Sequence, residues 1–134
     1  MRIYLNSDLA EAKNIDVVYK IVEFDGTVRS QKTVKSLLDP ERSVEVLVLT
    51  ADEIEKDGPA DEAFLEVILM EEGKLLASDH CFFVDPKDLK LTDVNLSTQI
   101  QQKKGKVEVT LSADKLAKNI YMSVKDCDSQ FSDN

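Results

Sequence analysis

Along much of this chain apolar and polar residues take turns one by one, the spacing of half-buried β-strands and not of helices. From Ile15 to Glu23, the residues Ile15, Val17, Tyr19 and Ile21 fall on one side of an extended chain, because successive strand side chains point to opposite faces. Asp25-Gly26 follows at once and predicts a hairpin turn, since glycine takes positive φ freely and aspartate tolerates it. The next run, Thr27 to Leu38, alternates only weakly through Val28, Val34 and Leu38, as an edge strand does, and Asp39-Pro40 ends it. Ser43 to Leu49 alternates again. Thr50 with Glu53 three residues on has the spacing of a helix capping box, and Gly58-Pro59 stops that helix within two turns. Ala63 to Met70 and Lys74 to Val84 flank the tight turn Glu72-Gly73. With Ile3 to Leu9, these runs make six or seven short strands separated by turn residues, the signature of an all-β, immunoglobulin-like or fibronectin-like β-sandwich.

Asp85-Pro86-Lys87-Asp88 breaks the rhythm and predicts a boundary, with an immunoglobulin-like sandwich over residues 1–86. Residues 87–134 then begin a second sandwich: strands over Val94 to Ile100, Lys106 to Leu111 and Ile120 to Val124, with a turn at Lys103-Lys104-Gly105. Three strands are too few to close a sandwich, so this part reads as a partial, truncated immunoglobulin-like domain. The start, Met1 to Asn14, reads as a strand that begins abruptly, as if cut from a longer chain, and lacks the pattern of a signal peptide.

Composition narrows the function classes. The 134 residues are 43% hydrophobic, enough for a packed core, and carry a net charge of −9. Acids spread along the whole chain repel phosphate backbones and anionic lipid, so neither nucleic acid nor membrane is an expected partner. No apolar run approaches the roughly 20 residues that span a bilayer. Cys81 and Cys127 match no zinc or redox spacing. They fall in different predicted units and are expected to be reduced and unbonded to one another.

Candidate chemistry is sparse. His80 is the single histidine, and on a strand it points away from Asp79 and Cys81, so the three cannot form a nucleophile relay. Asp126-Cys127-Asp128-Ser129 opens like a calcium loop but lacks its glycine and closing glutamate. The carboxylates Glu53, Glu55, Asp57, Asp61 and Glu62 have no flanking aromatic that would raise a pKa, and read as exposed. Asn95-Leu96-Ser97 is a formal glycosylation acceptor. The chain has no tryptophan to stack on a sugar, and Phe82 and Phe83 are adjacent, so one of them can face outward. No catalytic, cofactor-binding or metal-ligating residue is assigned from the sequence, and no cofactor is expected.

The stretch Phe82-Phe83-Val84-Asp85-Pro86-Lys87-Asp88-Leu89-Lys90-Leu91 resembles the junction between the last two β-sandwich domains of β-mannosidases of glycoside hydrolase family 2. Val107 to Ser112, Leu116 to Met122 and Phe131-Ser132-Asp133-Asn134 resemble segments of that family's C-terminal immunoglobulin-like domain. The resemblance implies a non-catalytic accessory region that supports an upstream catalytic (β/α)8 barrel. Its implied partners are that barrel and the neighbouring sandwiches. A periplasmic, secreted or lysosomal location would follow from such a parent, though nothing in the residues selects one. No segment matches the barrel, so no catalytic glutamate carries over. A carbohydrate-binding module and a stand-alone interaction or adhesion domain are the alternatives. A coplanar pair of exposed aromatics would mark the first, and an extended exposed apolar patch the second. The apolar side chains Val107, Val109 and Leu111 of the partial second domain are expected to seek cover in a homodimer.

Overall fold

A computed structural model describes residues 1–103 and 105–125 of the chain, which divides into two compact units, residues 1–93 and 94–134. The first unit contains two antiparallel sheets. β1 (Arg2–Asn6) pairs with β4 (Ser43–Val48), and β2 (Lys13–Glu23), β3 (Val28–Leu38), β5 (Ala63–Glu71) and β6 (Lys74–Phe82) form a four-stranded sheet in the order β3-β2-β5-β6. The weakly alternating β3 is an edge strand, as its pattern predicts.

The strongly alternating β2 lies inside the larger sheet, and its predicted face is the buried one. Ile15, Val17, Tyr19 and Ile21 are all buried. Leu5 from the small sheet packs with Ile15, Val17 and Leu38, and Val46, Val67 and Leu69 close around them. A second cluster holds Tyr19, Leu49, Ile54 and Leu65, with Ile3, Leu47, Val67 and Phe83 against it. The two sheets therefore bury their facing sides in one another, the defining act of a sandwich.

Turns and caps follow the expected chemistry. Asp25-Gly26 closes the β2–β3 hairpin, where the Asp25 carboxylate accepts from the Thr27 amide at 2.8 Å. Glu72 and Gly73, at φ 49° and 78°, turn β5 into β6 in the left-handed geometry that suits a tight hairpin. Thr50 caps the short helix α1 (Ala51–Glu55): the Glu53 amide donates to Thr50 Oγ1 at 3.2 Å, and the Thr50 amide donates to Glu53 Oε2 at 3.0 Å. That cap aims Ile54 into the second cluster.

Arg29 ties the hairpin end of β3 to the loop before β5. Its side chain is only 3% exposed, with Nε on Glu23 at 2.9 Å and a guanidinium nitrogen donating to the Pro59 carbonyl at 2.8 Å. Gly58 lies under that guanidinium at φ 149°, and a Cβ there would fall 2.7 Å from Arg29 Cζ. The backbone angle favours glycine here, and any side chain would also have to displace the guanidinium.

Among the described residues the second unit contains one hairpin, β7 (Leu96–Lys103) with β8 (Lys106–Ala113). The expected strand over 120–124 is absent: those residues carry no ladder, and Met122 alone among them is partly buried. Alternation without a partner strand leaves backbone groups to water, so the pattern alone cannot make a strand. Residues 126–134, including the calcium-like run, Cys127 and Phe131 to Asn134, lie outside the described residues.

Leu65 is fully buried where the sheets meet. Replacing it with alanine is expected to cost about 2–5 kcal/mol through lost transfer energy and a residual cavity. Leu75→Ala, at a 63% exposed site on β6, should stay within about 0.5 kcal/mol of the parent. Urea denaturation followed by circular dichroism checks both; equal midpoints would contradict the packing described.

Candidate functional site

The two sheets differ in width. Two strands, β1 and β4, lie over four, and strands repeat at roughly 4.8 Å across a sheet. The small sheet therefore leaves part of the larger one uncovered on the β6 side. There a groove of about 300 Å³ runs between β1 and β6. Leu5, Val67, Leu69 and Ala77 form much of its apolar lining, and Asp79 and Cys81 border it.

Alternation along β6 sends Asp79 and Cys81 to this inner side and His80 to the outer one, as the sequence predicts. The His80 ring lies edge-on to Phe64 and Phe82, with centroids 6.2 and 6.1 Å away. Asp79 Oδ1 accepts from the His80 backbone amide at 2.8 Å. Burial, and secondarily the Asp79 charge, push the Cys81 thiol above its ordinary value, so it is a poor nucleophile at neutral pH. Cys81 is a free thiol, and its Sγ meets Met1 Sδ at 3.7 Å. Its expected non-pairing with Cys127 concerns a residue outside those described.

The outer face of the larger sheet carries residues in cross-strand rows. Val22, Phe64 and Phe82 stand side by side, and Lys20, Glu66 and His80 form the next row. Phe24 meets Phe82 at 69°, and Phe64 meets Phe82 at 58°. Phe24 thus packs edge to face on Phe82, a favoured aromatic geometry, and Phe64 is tilted against it, so the rings present no shared plane for a pyranose ring. Phe82 belongs to this outer cluster, whereas Phe83 packs against the core.

Two strand carboxylates, Glu66 and Glu71, are each tied to a lysine. Glu66 receives Lys20 at 2.7 Å, and Glu71 receives Lys13 at 2.9 Å. Among the loop acids, Glu53 serves the helix cap. Asp61 and Glu62 depart from the expected exposure: both are partly buried and hold the Lys90 ammonium at 3.0 and 3.6 Å. The Lys90 amide also donates to the Asp61 carbonyl at 2.9 Å. A residue 29 positions along the chain supplies their partner, which sequence spacing cannot reveal. Among the described residues no group of three potential metal ligands occurs, and no helix is long and apolar enough to cross a membrane.

In the second unit, the Asn95 side-chain amide donates to Asp114 Oδ2 at 2.6 Å, and the Asn95 backbone amide donates to Oδ1 at 2.9 Å. These bonds, the side-chain one first, hold the Asp114 carboxyl below its usual range. The asparagine of the glycosylation pattern is thus already engaged. Directly paired residues place Leu96, Ile100, Val107, Val109 and Leu111 on one face of the hairpin, and Ile100 there is 70% exposed.

The groove escaped the sequence because β1 and β6 are far apart in the chain. One signal was present in retrospect: β6 offers Ala77 and Asp79 at inner positions where β2 offers large apolar residues.

On the outer side of the small sheet, Glu45 Oε2 accepts from the Tyr4 hydroxyl at 2.7 Å and the Arg2 guanidinium at 2.8 Å. The Tyr4 bond first, then the Arg2 bond, hold the Glu45 carboxyl below its ordinary range. A depressed folded-state pKa contributes stability above the unfolded value and loses it as pH falls through the folded one. A carboxyl-detected NMR titration should place the Glu45 midpoint below that of an unstructured glutamate, and Tyr4→Phe should move it up. An unshifted midpoint in the parent chain would show that the bond does not persist in solution.

Comparison with known families matches both parts of the chain: residues 1–88 to the Mannosidase Ig/CBM-like domain and residues 91–134 to Ig_mannosidase, an Ig-fold domain. No curated protein matches the chain significantly.

Proposed function

From the premise that the chain belongs to the Mannosidase Ig/CBM-like domain family, matched over residues 1–88, we propose that it is a non-catalytic accessory region of a β-mannosidase of glycoside hydrolase family 2. Its task there is architectural: a rigid sandwich that buttresses a (β/α)8 catalytic barrel. The observation that carries this reading is the pair of consecutive matches, both to mannosidase immunoglobulin-type domains. The chemistry of the first unit agrees with it. Hydrolysis of a glycosidic bond needs two carboxyl groups facing each other about 5–9.5 Å apart across a cleft, and of the strand glutamates here Glu66 and Glu71 are each paired with a lysine and Glu23 and Glu45 each with an arginine.

The family's description, Mannosidase Ig/CBM-like, also covers carbohydrate-binding modules, and that alternative requires a flat stacking surface. The aromatic cluster around Phe82 offers ring edges in place of parallel faces. Architecture is therefore favoured over sugar capture.

Two measurements on the isolated chain test the proposal. Hydrolysis of an aryl β-mannoside should not rise above buffer. Turnover that survives repurification and disappears in Glu66→Gln would overturn it. Titration calorimetry with manno-oligosaccharides should show no binding tighter than about 1 mM, the regime in which ordered-water and ordering costs cancel a few weak contacts. Micromolar affinity lost in Phe82→Ala would establish the binding-module alternative instead.

A further inference from the structure

The groove between β1 and β6 has a shape and chemistry of its own, and its use is independent of the accessory role. Met1 and Leu49 exchange backbone hydrogen bonds, with Met1 N on the Leu49 carbonyl at 2.7 Å and Leu49 N on the Met1 carbonyl at 2.9 Å. Backbone groups alternate in direction along a strand. The register shift beside Ile3 and Tyr4 places its extra residue, Val46, on β4, so the alternation of β1 continues through it: the amides and carbonyls of Arg2, Tyr4 and Asn6 turn away from β4, toward the groove, where β1 has no strand neighbour among the described residues. An edge of this kind is a template for another strand.

The space beside that edge is floored by apolar side chains, Val67, Leu69 and Ala77, with Leu5 on its wall. Among the residues that line it, Asp79 carries the only carboxylate, and no described cation lies within ion-pair distance of it. The lining thus combines a row of backbone groups that no described strand takes up, a shallow apolar floor and one negative charge without a described cation beside it.

We propose that this groove seats an extended segment of another polypeptide, added along β1 as a third strand of the small sheet. Its inward side chains alternate apolar residues with one basic residue, which meets Asp79. Main-chain bonds to β1 supply the register, the apolar floor supplies burial, and Asp79 selects lysine or arginine over acidic residues. This is strand addition, in which backbone pairing gives affinity and alternate side chains give selectivity.

The test uses the full chain and an acetylated, amidated peptide, Val-Thr-Val-Thr-Lys-Thr-Val, whose valines and lysine share one face when extended. A second peptide carries glutamate in place of lysine. A third has the same composition as the first with its alternation scrambled. Binding is read by amide chemical-shift changes and by hydrogen exchange. The lysine peptide should bind saturably, shift β1 and β6 resonances, and slow exchange at Arg2, Tyr4 and Asn6. The glutamate peptide should bind about tenfold more weakly, the scale of one close charge pair at a partly solvated interface. Asp79→Asn should bring that ratio close to one. Ala77→Phe, which fills the groove from an exposed position, should abolish binding while leaving the amide spectrum of β2 and β3 unchanged.

Equal binding of the alternating and scrambled peptides, shifts confined to the β7–β8 hairpin or the outer face, or no saturable binding would each overturn the proposal. Concentration-dependent shifts of β1 and β6 in the absence of peptide would assign the groove to a second copy of this chain, and would overturn it equally. None of these results bears on hydrolysis or on mannoside binding, so failure here leaves the accessory reading standing.

Discussion

Burial of the inner face of β2 is the constraint from which the first unit is built. Ile15, Val17, Tyr19 and Ile21 must all leave water at once, and a single hairpin partner cannot cover them. They are covered by a second sheet that brings Leu5, Leu49 and, through the capped helix α1, Ile54 onto them. At roughly 25 cal/mol per Å² of apolar area, this is the dominant favourable term in the unit. Every other feature is placed relative to it. Because the covering sheet is only two strands wide, its reach ends over β5, and β6 is left with an inner side that can be small and polar. The residue types follow that geometry: Ala77 and Asp79 stand where no strand presses on them.

Polar residues on the outer surfaces are arranged as local pairs, and their magnitudes differ. The lysine–glutamate pairs across β2 and β5 are partly solvated, and such pairs typically contribute less than about 1 kcal/mol. Arg29 is different in kind. Its side chain is buried, donates to two separate acceptors and lies over a glycine. Loss of that side chain would leave the Glu23 carboxylate without its charged donor, while the Pro59 carbonyl would keep the Glu62 amide at 3.4 Å. The clamp of Lys90 on Asp61 and Glu62 plays a related part on the same loop, two and three residues beyond Pro59. It ties residues just beyond the last strand back to the loop before β5 by a backbone bond as well as a charge.

The second unit shows what the same alternation does without a covering sheet. Its hairpin is regular, closed at its open end by Asn95 and Asp114. The apolar row from Leu96 to Leu111 is nevertheless largely exposed, and among the described residues each of the two strands has only the other as its ladder partner. A homodimer through this face remains a proposal, grounded in the cost of leaving that row in water.

Period-two alternation, turn dipeptides and a capping box were enough to place all six strands of the first unit, the Thr50 helix start and the weak edge character of β3. These are local properties: each depends on φ/ψ preferences and side-chain direction within a few residues. The opposite pointing of His80 against Asp79 and Cys81 was legible for the same reason. The sequence also carried, in Phe82 to Leu91 and the segments after it, the resemblance that the family matches support. Contacts between distant segments were decided by the fold alone. Nothing in the spacing of Asp61 and Lys90, or of Arg29 and Gly58, announces their meeting. Alternation over 120–124 promised a strand that the structure does not contain, since a strand needs a neighbour and the pattern is silent about who that is. The groove is the clearest case. It exists because one sheet is two strands wide and the other four, and the relative width of two sheets is a property of how strands pair, not of any one of them.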